Sequence, residues 1–122
     1  MHLDGVLRKF TKNKKYTAFI SRFVPNNYQY PPGSVRMIDY DGLHLEVDIH
    51  DYCGHYLYYR FLDDSQTILF GLCKPGDIVI DIGTNVGFSL LNMAKIAGED
   101  GFIFGFEPDP SNFRHLEKNI SL

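Results

Sequence analysis

The stretch Asp81-Ile82-Gly83-Thr84-Asn85-Val86-Gly87 places two glycines and an asparagine on alternate positions after an aspartate, and Glu107 follows Asp81 by 26 residues. Glycine lets a backbone come against a ligand with no Cβ in between. A carboxylate can accept hydrogen bonds from two neighbouring hydroxyls, such as those of a ribose. Loop and acid together read as a site for a nucleoside-bearing cofactor, provided the chain brings them side by side.

The flanking residues supply elements that would do so. Ile78 to Ile82 is a β-branched run interrupted only by Asp81, the pattern of a strand buried on both faces. Phe88 to Ala97 reads as a helix, with Leu91 and Ala94 on one face and Gly98 as its stop. Phe102 to Phe106 reads as a second buried strand that delivers Glu107 at its end. Asp109 then caps a helix with Pro110 at its first position, and Phe113, Leu116 and Ile120 form its apolar stripe. Strand, helix, strand, helix is a βαβ unit with a right-handed crossover and a parallel pair. Ligands of such sheets bind at the carboxyl ends of the strands, where loop 83–87 and Glu107 both fall. The following helix points free N–H groups to the same place.

Two familiar phosphate loops do not fit. A dinucleotide fingerprint started at Gly83 meets Asn85 and Phe88 where its second and third glycines belong. A Walker loop needs a lysine after its last glycine, and none follows Gly87. The fitting pattern, acid-x-Gly-x-x-x-Gly with a carboxylate ending the next strand, resembles the glycine loop of class I S-adenosylmethionine (SAM) methyltransferases. Residues Gly76 to Leu122 resemble the FkbM family of these enzymes. The motifs that carry the resemblance are Gly76-Asp77, Asp81, Gly83, Asn85, Gly87, Gly98, Gly101, Phe106-Glu107-Pro108, Pro110, Leu116 and Asn119. Thr84 stands where the family usually has alanine.

The resemblance implies a partial class I methyltransferase, Rossmann-like α/β fold and SAM as cofactor. Gly83, Thr84, Asn85 and Gly87 would wrap the methionine half of SAM. Asp81 would hold its ammonium, directly or through water, Glu107 its ribose hydroxyls, and Pro108 would shape the adenine side. The acceptor would be a hydroxyl of a sugar, a glycan or another small molecule. The family continues into a third strand beyond residue 122, so the chain is expected to be inactive as this fragment, and no catalytic base is assigned. His50, His55 and the tyrosines are conceivable helpers. Two alternatives stay open: a non-catalytic remnant or partner-binding module that retains the βαβ unit, and a nucleotide-dependent oxidoreductase. An open sheet edge would invite self-association.

Three segments follow from the whole sequence: a basic helical start at 1–24, a middle part at 25–62, and the first half of the cofactor domain at 63–122. Residues 1–24 carry six basic side chains and one acidic, while the chain as a whole is at −3. Phe10, Phe19, Ile20 and Phe23 suggest that this basic segment also packs on something. Pro25 to Gly33 reads as a linker, with three prolines and a glycine. Asp41-Gly42 signals a two-residue hairpin that pairs Tyr40 with Leu43, Ile38 with Leu45 and Arg36 with Val47. That register places Ile38, Tyr40, Leu43, Leu45 and Val47 on one face. The tyrosine-rich run at 49–62 reads as strand and core packing, around a polar turn at Gly54. Ser65 would cap a short helix with Ile68, Leu69 and Leu72 on one face.

Composition narrows the class. With 44% hydrophobic and 22% charged residues among 122, the chain is an ordinary globular one. No apolar run approaches the ~20 residues that span a bilayer, so no stable membrane insertion is expected. Nor is a nucleic-acid partner: the basic start reads as a solvated helix or arm. There is no signal-peptide pattern, and the expected compartment is the cytoplasm. Cys53 and Cys73 make no disulfide framework, and His50, Cys53 and His55 lack the further ligand that a metal site needs.

Overall fold

A computed structural model describes residues 3–11, 14–61 and 65–122. Its elements are α1 (Leu3–Thr11), α2 (Lys14–Ile20), β1 (Val35–Tyr40), β2 (Leu43–Asp48), α3 (Tyr52–Tyr59), α4 (Ser65–Leu72), β3 (Ile78–Ile82), α5 (Phe88–Ala97), β4 (Phe102–Phe106) and α6 (Pro110–Ile120). The strands form two pairs, β1 with β2 and β3 with β4. The chain divides into two compact units, one of residues 1–36 with 47–62, the other of residues 37–46 with 63–122.

In the first unit the tyrosine-rich run is a helix rather than a strand. Asp51 caps α3 by accepting from the Gly54 N–H at 3.0 Å. Gly54 is therefore in the first turn of a helix and not at a polar turn. A Cβ there would overlap the Asp48 carbonyl, so glycine is needed for packing. Tyr58 and Tyr59 are buried with Val47, Ile49 and Leu57, while Tyr52 is exposed. The Pro25–Gly33 stretch is a strap that is tied down. It makes a 3₁₀ turn at Asn27–Gln29. Asn27 Nδ2 donates to the His50 carbonyl at 2.9 Å, and the Tyr30 and Tyr59 hydroxyls meet at 2.7 Å. The basic start forms the two helices α1 and α2. Arg8 Nε donates to the Tyr58 carbonyl at 3.0 Å with its guanidinium 4.9 Å from the Tyr58 ring centre, and Arg36 pairs with buried Asp4 at 2.7 Å. Its aromatics do not bury themselves as expected: Phe10, Phe19 and Phe23 are exposed, although Phe19 and Phe23 touch edge to face.

In the second unit β3 and β4 are parallel, with Ile78 opposite Phe102, Ile80 opposite Phe104, Asp81 opposite Gly105 and Ile82 opposite Phe106. The helix between them makes this the expected α/β, Rossmann-like βαβ unit, preceded by a β-hairpin. The hairpin turn is as the sequence requires: Asp41 has φ 54° and Gly42 φ 87°, both positive as in a type I′ turn. Ile38 and Leu45 are buried and Tyr40 and Leu43 half-buried, as the expected apolar face requires, while Val47, also buried, belongs to the first unit. The hairpin tip packs on α5, with Tyr40 edge-on to Phe88 at 4.8 Å and Lys95 Nζ donating to the Asp41 carbonyl at 3.0 Å.

The expectations about burial are met only in part in this unit. Only one face of the β3–β4 pair is covered by α5, the face with Asp81 and Gly105. The other face, with Ile78, Ile80, Ile82, Phe102, Phe104 and Phe106, is exposed, Ile82 at 82%. The strands are thus buried on one face and not both. In α4, Ile68, Leu69 and Leu72 are exposed as well, and the ring contact is made by Phe70 on Phe88. In α6, Phe113 and Ile120 are exposed, and buried Asn119 stands beside Leu116 instead. The buried stripe of α5 is Leu90, Met93 and Ala97, with Leu91 and Ala94 only half-buried.

Asn119 acts as a side-chain strand partner. Its Oδ1 accepts the Glu46 N–H at 2.7 Å, and its Nδ2 donates to the Glu46 and Val86 carbonyls at 3.0 and 2.8 Å. Glu46, itself buried, accepts from Lys118 and lies 3.4 Å from His115 Nδ1. One carboxamide therefore satisfies three backbone groups and fixes α6 to both the hairpin and the glycine loop. Asn119→Ala leaves those groups bare, each at about 1–3 kcal/mol. Urea unfolding is expected to show a loss of about 2–4 kcal/mol; a loss under about 1 kcal/mol would mean that water replaces the amide.

The first unit carries a pH dependence. Burial pushes the His55 imidazole below its ordinary value, against a smaller opposing effect of its bond to the Pro25 carbonyl at 2.9 Å. The folded state therefore holds this ring neutral more tightly than the unfolded chain does. The stability it contributes is present above the unfolded value of about 6.5 and is lost as pH falls through the folded one. The urea midpoint is expected to drop between pH 7.5 and 5.5, and His55→Gln to flatten that drop. An equal drop in the variant would assign it to other groups.

Candidate functional site

The glycine loop and Glu107 are brought together in the second unit. β3 ends at Ile82, and the chain turns through Gly83 at φ 82°, Asn85 at φ 53° and Gly87 at φ 94°. Positive φ is natural for glycine and tolerated by asparagine, which is why these residue types stand at these positions. The loop folds back on the end of β4. The Phe106 carbonyl accepts the Gly83 and Thr84 N–H groups at 2.8 and 3.2 Å. Glu107 Oε2 accepts the Asn85 N–H at 2.7 Å, and its Oε1 accepts the Asp109 N–H at 2.9 Å. Asn85 Oδ1 takes the Val86 N–H at 2.8 Å, and the Thr84 carbonyl takes that of Gly87 at 3.0 Å.

All five N–H groups of the loop are thus used inside the protein. What the loop offers a ligand is its bare α-carbon surface, and the glycines differ in this. A Cβ on Gly83 would meet nothing within 4 Å, so the backbone there faces open space. A Cβ on Gly87 would lie 2.8 Å from Leu116 Cδ1, so this glycine lets α6 approach. Thr84 is buried, and its hydroxyl donates to the Asp81 carbonyl at 3.0 Å, bracing the turn from within. Asp81 faces α5, where Ser89 Oγ donates to its Oδ2 at 2.7 Å. Pro108 follows Glu107 in the short link to Asp109, which caps α6 through the Ser111 and Asn112 N–H groups at 2.8 and 2.9 Å.

Asp81, next to last in β3, and Glu107, just past β4, thus stand near the carboxyl ends of the two parallel strands, and Gly83 is open in the loop that follows β3. Glu107 spends one acceptor site on each oxygen, and an ionised carboxylate has about four. Its remaining capacity suits a pair of neighbouring hydroxyls. Asp81 retains capacity for a cation. The residues present fit an adenosyl amino acid, and the compact loop leaves no cradle of N–H groups for a pyrophosphate. His50 and His55 lie in the first unit, where their ring nitrogens meet the Tyr30 and Pro25 carbonyls.

Two residues of this arrangement escape a reading of the sequence. Ser89 is one; its spacing of eight from Asp81 becomes meaningful only once strand and helix are packed. Gly105 is the other. A Cβ there would overlap Leu90 Cδ1 and lie 2.9 Å from Thr84 Oγ1. A glycine inside a strand is a sign of such close approach.

No protein-family model matches the chain. A stretch of 73 residues, 59% of the chain, is 33% identical to cyclosporin synthetase of Tolypocladium inflatum, a share of that synthetase which rounds to 0%. A solved protein-L-isoaspartate O-methyltransferase superimposes over 98% of this chain and 38% of its own, at 17% identity and a TM-score of 0.41. The chain thus spans a small part of each. Among the described residues no helix is long and apolar enough to cross a membrane.

Proposed function

We propose that the chain carries the cofactor-binding half of a SAM-dependent methyltransferase of FkbM type, acting on a hydroxyl of a sugar, a glycan or another small molecule. The observation that carries this reading is the Glu107 carboxylate at the end of β4, joined by hydrogen bond to the Asn85 amide of the glycine loop. Glu107 would hold the ribose hydroxyls, Asp81 the ammonium, and Gly83 with Thr84 and Asn85 would border the methionine chain. Gly87 would keep the loop closed against α6, and Pro108 would border the adenine. When bound, SAM supplies a methyl group on a positive sulfur, open to in-line attack by an oxygen. The residues named would fix its direction, and alignment of that kind can supply much of a rate enhancement.

Replacing Glu107 with alanine is expected to weaken SAM binding by about 2–4 kcal/mol in calorimetry, from losing charge-assisted hydrogen bonds. A urea midpoint on the same variant separates this from loss of the Asn85 and Asp109 bonds. Unchanged SAM affinity would remove the ribose role, and tight binding of NAD by the unaltered chain would favour the oxidoreductase reading.

A second reading is favoured by the six exposed side chains of the β3–β4 face. In it the chain is a partner-binding module that keeps the βαβ unit for its shape, and self-association is the simplest form. Absence of SAM binding together with concentration-dependent sedimentation would select it.

A further inference from the structure

We propose that residues 1–24 form a docking surface for an anionic lipid bilayer, on which the chain lies without crossing it. The inference is independent of the methyltransferase reading and concerns the basic start of the chain, to which that reading gives no role.

Residues 1–24 hold six of the 12 basic side chains of the whole sequence and one acid, Asp4. The fold takes that acid away from the surface. Asp4 is 7% exposed and accepts from Arg36 Nε and Nη2 at 2.9 and 2.7 Å. Arg8 is engaged too, at the carbonyl and ring of Tyr58. Lys9 and Arg22 are exposed, and Lys12, Lys14 and Lys15 belong to the same stretch of sequence. Five cations thus remain in a segment whose single carboxylate is already neutralised. Charge of this sign is complementary to a bilayer surface that carries anionic lipid.

The apolar part of the surface is aromatic. Phe10, Phe19 and Phe23 are 55%, 60% and 61% exposed. Phe19 and Phe23 stand edge to face with ring centres 5.4 Å apart. Rings left in water forgo the gain of burial. At a bilayer they would enter the boundary between headgroups and acyl chains while the cations stay among the headgroups. The backbone beneath them is fastened. Thr17 Oγ1 donates to the Thr11 carbonyl at 3.0 Å, tying α2 back to α1, and Ser21 Oγ donates to the Ala18 carbonyl at 3.1 Å. A bilayer suits these residues better than a nucleic acid does. Bases stack on open aromatic faces, whereas Phe19 and Phe23 pack the edge of one ring on the face of the other and make a compact apolar knob. With nine and seven residues, α1 and α2 are far shorter than the ~20 residues of a membrane span, so the contact is with the surface.

The full chain, sedimented with vesicles of phosphatidylcholine alone or mixed with phosphatidylserine, tests the assignment. It is expected to pellet with the mixed vesicles, to stay in solution with pure phosphatidylcholine, and to be released by added salt. Lys9→Gln with Arg22→Gln is expected to weaken binding about fivefold for each cation removed. Phe19→Ser with Phe23→Ser is expected to weaken it about tenfold or more and to keep the urea midpoint of the parent, since both rings are exposed. The sequence has no tryptophan, so Phe23→Trp provides a single fluorescent ring in the surface. Its emission is expected to shift to the blue on mixed vesicles, a readout that does not depend on how the serine variant folds. Equal binding to both kinds of vesicle would point to general apolar adsorption and overturn the proposal. Binding to neither, full binding by either double variant, or an unshifted emission on mixed vesicles would overturn it as well. Tighter binding to single-stranded RNA than to mixed vesicles would make this a nucleic-acid surface and overturn it too.

Discussion

The second unit depends on how the end of β3 is fastened to the end of β4. Two parallel strands of five residues each are a small sheet, and an isolated pair is at best marginal in water. Here the Phe106 carbonyl takes two amides of the glycine loop, and the Glu107 carboxylate takes a third. The loop becomes an extension of the sheet. Its tight turn needs positive φ at three positions, and this explains the residue types without reference to a ligand. The same clasp holds the main chain of Asp81 and Glu107 near the carboxyl ends of the two neighbouring strands.

Asn119 transmits this order outward. It binds the Val86 carbonyl in the loop and both backbone groups of Glu46 in the hairpin. Loop, hairpin and last helix thus share one buried amide. On the far side of the sheet nothing comparable operates among the described residues, and isoleucines stand opposite phenylalanines across the register, exposed. An apolar face of this kind usually marks a surface that binds something.

Much of this was legible in the sequence because it rested on local chemistry. The β3–loop–α5 and β4–α6 elements followed from β-branched runs, glycines and the Asp109-Pro110 cap. The Asp41-Gly42 turn specified its own backbone. The burial pattern was less legible. A run such as Ile78-Val79-Ile80 looks the same whether one face or two is covered, because hydrophobicity records what a strand could bury and not what lies against it. The tyrosine-rich run misled for a related reason: strand propensity was outweighed by the Asp51 cap and by Gly54 against Asp48. At the site, Asp81, Asn85 and Glu107 could be picked out by type and spacing. Ser89, Gly105 and the buried role of Asn119 could not, since each depends on a neighbour distant in the chain.

The central claim is that the rim between Asp81 and Glu107 is an adenosyl site. Amide chemical shifts of the ¹⁵N-labelled chain, followed while SAM is added, test it directly. The account predicts shifts concentrated at residues 81–89 and 105–109, with the spectrum otherwise that of the same folded protein. A well-dispersed spectrum that does not change at millimolar SAM, or changes only in the first unit, would contradict it.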